Sequence, residues 1–142
     1  MPYYNATGSM RYPLPGPSDV PSYQLSAIPW MTSSIAPNGS AMKISFPTTT
    51  RWLEVMNTGN QAIRVGFSNN GVTGNPPTQS HYFTINTAGA QTSRWELRCS
   101  EIYIYGGGAS ATFSLAAGLS PVPSKYFAAM SGSFGGVYGG IG

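Results

Sequence analysis

The sharpest alternation of apolar and polar positions runs from Thr92 to Tyr105, Thr-Ser-Arg-Trp-Glu-Leu-Arg-Cys-Ser-Glu-Ile-Tyr-Ile-Tyr. Trp95, Leu97 and Cys99 alternate with Arg94, Glu96 and Arg98; Ile102 and Ile104 then alternate with Tyr103 and Tyr105. A period of two marks strands with one dry and one wet face. The spacing predicts a β-hairpin turning near Ser100-Glu101, against whose apolar side the other strands pack.

Further strands are expected at short, regular intervals. Tyr23–Ile35 contains Pro29, which points to a sheet edge or a bulge. Pro37-Asn38-Gly39-Ser40 is a turn with a strong hairpin signal. Ala41–Phe46 sets Met42, Ile44 and Phe46 against Lys43 and Ser45. Thr50–Asn57 carries Leu53 and Val55 on one side, with Trp52 and Met56 on the other as a potential interface. Ala62–Ser68 turns Ile63, Val65 and Phe67 inward and Arg64 outward. After a long loop, Asn69–Ser80, residues His81–Thr87 turn Phe83 and Ile85 inward. Beyond the predicted hairpin and Gly106-Gly107-Gly108, Ala111–Leu119 aligns Phe113, Leu115 and Ala117. Eight short strands with frequent turns predict an all-β fold, a single eight-stranded antiparallel jelly-roll sandwich. Thr50-Arg-Trp-Leu-Glu-Val and Ser93-Arg-Trp-Glu-Leu-Arg echo each other, which two similar halves or chance explain equally well.

Three parts follow from this pattern: an arm over residues 1–23, the sandwich over 24–119 and a tail over 120–142. Pro13, Pro15, Pro17 and Pro21 forbid a helix in the arm and favour extended chain. Tyr3, Tyr4, Tyr12 and Tyr23 give it adhesive groups. The tail strings Phe134, Val137, Tyr138 and Ile141 along glycines.

Composition sharpens the picture. Only 8% of the 142 residues are charged, against about 25% in ordinary soluble domains. A surface so poor in charge suits a protein largely covered by neighbours. Net charge is +3, its basic residues scattered singly, so no direct nucleic-acid role is expected. The start, Met1-Pro2-Tyr3-Tyr4, lacks the basic and apolar regions of a signal peptide. No stretch approaches the length of a transmembrane segment.

Chemistry is sparse. His81 is the single histidine, Asp19 the single aspartate and Cys99 the single cysteine. Cys99 lies on the apolar parity of its strand and reads as a small buried hydrophobe. Glu96 and Glu101 flank the predicted turn, but Glu96 reads as an ion-pair partner for a neighbouring arginine. A zinc site needs more ligands than His81 and Cys99 supply. No catalytic residue, metal site or cofactor is expected, and the chain is read as a non-enzyme.

The short sandwich, the Pro/Tyr arm and the Gly-rich tail together resemble viral capsid proteins. More narrowly, the chain resembles the single jelly-roll penton proteins of large icosahedral double-stranded DNA viruses, the likeness covering residues from Gln24-Leu25-Ser26 through Ala111-Thr-Phe-Ser-Leu-Ala-Ala-Gly-Leu119. It is one of architecture, size and texture, with no short motif that carries functional residues over. It implies a structural virion protein, made in the host cytoplasm. Such a protein forms a homopentameric ring at the fivefold vertices and contacts major and minor capsid proteins through its termini. The expected assembly contacts are Tyr3, Tyr4, Arg11, Tyr12, Arg51, Arg64, Arg94, Arg98, Tyr126, Phe127, Phe134 and Tyr138. The competing reading is a carbohydrate- or receptor-binding sandwich, lectin-like or a fibre or decoration protein, with Trp30, Trp52 and Tyr82 available to stack on sugars.

Overall fold

The computed structural model describes residues 3–4, 10–11, 26–74 and 81–126. Its strands are β1 (Tyr3–Tyr4), β2 (Met10–Arg11), β3 (Ile28–Ile35), β4 (Ala41–Ser45), β5 (Thr48–Asn57), β6 (Ile63–Gly66), β7 (Phe83–Ile85), β8 (Glu101–Gly106) and β9 (Thr112–Pro123). One helical turn, α1 (Asn69–Thr73), follows β6, and a 3-10 turn, Ser124–Tyr126, follows β9. In the arm, β1 and β2 pair antiparallel, Tyr3 opposite Arg11 and Tyr4 opposite Met10.

The remaining seven strands make two antiparallel sheets, β3-β9-β5 and β4-β8-β6-β7. Both contribute to a single core. Leu53, Val55, Phe113, Leu115 and Ala117 come from the first, and Ile44, Ile63, Val65, Ile102 and Ile104 from the second, all buried. The all-β, sandwich-like prediction therefore holds, and the alternation predicted for β4, β5, β6, β8 and β9 is the one observed. β9 runs on to Pro123, past the predicted end at Leu119. Beyond Leu119 it pairs with β5 alone, so Pro121 and Pro123 fit on a strand with an unshared side.

The hairpin predicted over 92–105 is absent. Residues 90–99 do not form a regular strand but run antiparallel along β5 in the first sheet. Leu53 and Trp95 exchange both backbone bonds (2.9 and 3.0 Å), and Asn57 N donates to Ala90 O at 2.8 Å. β8 lies in the other sheet, between β4 and β6. Ser100 is thus a crossing between sheets, not a turn. Both segments turn an apolar side to the same core, which alternation alone cannot distinguish from two strands of one sheet. The same error applies at Asn38-Gly39. Gly39 takes the left-handed φ of +81° expected of a turn glycine, but the strands it joins, β3 and β4, lie in different sheets. Among the seven strands of the two core sheets only β6 and β7 follow each other within one sheet, paired from Ile63–Ile85 to Val65–Phe83. The segments carrying the Arg-Trp echo turn out to be partners, joined at Leu53–Trp95.

Asn57 ties the sheets together. Its fully buried amide donates to Gln61 O (2.8 Å) and Ile85 O (2.9 Å) and accepts from Gly59 N (3.0 Å). Every polar atom of this side chain is occupied, the condition under which a buried amide stabilises a fold.

Candidate functional site

Among the described residues, most groups capable of chemistry are spent on structure. Cys99 is fully buried; its Sγ lies 3.3 Å from Thr50 Oγ1. Burial raises its pKa from the ordinary 9.0 to about 11, so it is an inert thiol at neutral pH. Glu101 is nearly buried and pairs with Lys43 at 2.7 Å. That contact raises the Lys43 pKa, first through the hydrogen bond and then through the charge. Burial, followed by the charge of Glu101, raises that of Tyr103. Glu96 pairs instead with Arg94, so the two glutamates belong to different sheets and form no acid pair. The buried Nδ1 of His81 has no hydrogen-bond partner. No group of three metal-ligating side chains occurs among the described residues, nor does any helix long and apolar enough to cross a membrane.

What remains are surfaces. On the outer face of the second sheet the Arg64 guanidinium lies 4.3 Å from the Tyr82 ring centroid and 5.1 Å from that of Tyr105. It also donates to Val72 O and Gly74 O, both at 3.3 Å. Arg64 is therefore held within its own chain. At the flank of the sandwich Phe83, predicted inward, is 51% exposed. It sits on the three-residue edge strand β7, with its ring edge-on to Trp95 at 5.6 Å.

The outer face of the first sheet is different. Small residues of the central strand, Ser114 and Ala116, floor a trough of about 310 Å³ between Met31 and Met56. On the same strand Gly118 is packed so tightly by Trp52 and Ala27 that a Cβ there would overlap both. Trp52, expected as an outward contact, is thus half-buried against its own chain. The trough continues onto β3, where Met31 is 73% and Ile35 61% exposed.

Among the described residues no strand pairs with the outer edge of β3. Ala36 N donates to Ala111 O at 2.8 Å, which fixes the phase of the β3–β9 ladder. Residues paired as Ser34–Phe113, Thr32–Leu115 and Trp30–Ala117 direct their backbone groups to β9. Pro29, Met31, Ser33 and Ile35 direct theirs away, to the unpaired side. Pro29 supports its expected edge placement: its missing N–H falls on the side where no described strand stands.

Of the expected contact residues, Arg51 and Arg98 line one hollow with Glu96 and Leu97, and Arg94 reaches to 5.9 Å from the Trp52 ring. Tyr3, Tyr4 and Arg11 lie in the β1–β2 pair. Tyr126 ends the 3-10 turn. Tyr12, Phe127, Phe134 and Tyr138 lie outside the described residues. The open edge was not predicted as a contact, although its signal is in the sequence: eight residues, Ile-Pro-Trp-Met-Thr-Ser-Ser-Ile, without a charge.

In comparisons with known proteins, no family model, no curated protein and no solved structure matches this chain.

Proposed function

We propose that the chain is a structural virion protein that works by assembly, with a homopentameric penton at the capsid fivefold vertices as the specific form. Strand order carries the reading. With residues 90–99 counted as an eighth, irregular strand, the sheets run β3-β9-β5-(90–99) and β4-β8-β6-β7. We read such an order, with one same-sheet hairpin and every other connection crossing, as support for a jelly roll, an architecture found in viral capsids and in lectins. Assembly is favoured over sugar binding because the proposed sugar-stacking aromatics have separate partners. Trp30 stacks edge-on with Phe46 at 5.1 Å, Trp52 covers Gly118 and Tyr82 holds Arg64. No catalysis is part of this reading. The termini would reach neighbouring major and minor capsid proteins.

Light scattering of the purified chain tests it. Five copies of 15.0 kDa form a closed ring of about 75 kDa. A trimer would point to a fibre or decoration protein, and a monomer that binds glycans would replace the proposal with the lectin-like one. Deleting residues 1–22 should leave the sandwich folded and impair incorporation into particles.

A further inference from the structure

We infer that the open edge of β3 is completed by residues 12–18 of the arm of a second copy, added as an antiparallel strand. Two independent observations meet here. The first is the edge: the N–H groups of Met31, Ser33 and Ile35 point to its unpaired side, beside side chains that leave Met31 and Ile35 mostly exposed. A long, regular edge without charge is a template for another strand.

The second is the arm. Tyr12-Pro13-Leu14-Pro15-Gly16-Pro17-Ser18 has proline at every second position. Its remaining donors, on Tyr12, Leu14, Gly16 and Ser18, therefore all point to one side of an extended chain. Such a segment can pair on that side and cannot extend the sheet on the other. It completes an edge without creating a new one. With Leu14 beside Ser33, Tyr12 comes beside Ile35 and Gly16 beside Met31, so the arm covers the exposed apolar side chains of β3.

The choice of a neighbour's arm over the chain's own follows from the proposed self-assembly; the tether that leads into β3 would also let the chain's own arm fold back onto it, and the cross-linking below separates the two. Residues 19–27 give a tether of about 30 Å at roughly 3.3 Å per residue, enough to reach across to an adjacent subunit. The contact is heterologous and so compatible with a ring. It rests on the proposed self-assembly but not on the number of copies.

Two full-length single variants test it, Leu14→Cys and Ser33→Cys, mixed under oxidising conditions where light scattering finds oligomers. The native Cys99 is buried and does not compete. The expected product is a disulfide-linked pair of about 30 kDa, formed at least ~10-fold in excess of either homodimer because docking raises the local concentration. Amide exchange at Met31, Ser33 and Ile35 should also slow on assembly. Oligomers without this cross-link and with unchanged exchange overturn the inference while leaving self-assembly standing. So does a dominant Ser33→Cys homodimer, or a disulfide that forms only inside a chain carrying both substitutions. A chain that stays monomeric and gives no cross-link overturns both this inference and the assembly reading.

Discussion

The two edges of the first sheet solve the same problem in opposite ways. On one side, residues 90–99 are irregular and charged, and they are fastened by side chains as much as by backbone. Thr50 Oγ1 donates to Leu97 O (2.9 Å) and accepts from Cys99 N (3.0 Å), while Val55 N donates to Thr92 Oγ1 (3.0 Å). Two threonine hydroxyls thus stand in where the register slips. Arg94, Glu96 and Arg98 face solvent beside them. An edge so broken, and carrying charge, repels a further strand. On the other side, β3 is straight, eight residues long and uncharged. One edge is closed by its own irregularity and the other is left regular, and the contrast locates the surface where assembly is expected.

Proline substitution gives the largest test of that contrast. Thr32→Pro removes a donor aimed at β9 and should destabilise the fold by about 3 kcal/mol, read from a denaturant midpoint. A near-neutral result would refute the assigned ladder phase. On the closed edge, Thr50→Val strips partners from the buried Cys99 N and Leu97 O and should cost about 2 kcal/mol. If the variant melts like the parent, the side-chain fastening has no weight.

Alkaline titration probes the same fastening. Between pH 9.0 and about 11 the folded chain keeps a proton on Cys99 that the unfolded chain has released. Stability is therefore full below pH 9.0 and falls as pH rises, by on the order of 2 to 3 kcal/mol across the window. The raised pKa values of Lys43 and Tyr103 act in the same direction at the alkaline end. Cys99→Ala should flatten the slope in unfolding free energy against pH. Smallest for the isolated fold is Ser33→Pro, expected to change stability by less than about 1 kcal/mol because its N–H points to the open side. The same variant should lose the higher-mass species in light scattering; retention of that species would free assembly from this edge.

Alternation in the sequence located the core-facing residues of β4, β5, β6, β8 and β9. Leu53, Val55, Ile63, Val65, Ile102, Ile104 and Phe113 all lie inside as their parity requires. It could not assign strands to sheets, because both inner faces present the same period, and so Ser100 and Asn38-Gly39 were read as hairpin turns. Phe83 failed for another reason. Parity gives the direction of a side chain but not whether anything covers it, and on a three-residue edge strand at the flank little does. Contact surfaces were less legible still. Arg64 has outward parity and spends its charge on Tyr82, Tyr105 and two carbonyls of its own chain, whereas the open side of β3 is a property of backbone phase that becomes visible only once its partner is known.

That partner arrives late. Ser33 and Ser114, whose hydroxyls meet at 2.8 Å across the β3–β9 pair, are 81 residues apart in the chain. At synthesis rates of about 5–20 residues per second, β3 emerges from the ribosome roughly 4 to 16 s before the strand that pairs with it. During that interval both of its sides are bare, and no charge guards either one. Pro29, which has no N–H to give, is one brake on premature pairing between nascent copies, and the yield of correctly folded chain should depend on how fast translation delivers β9.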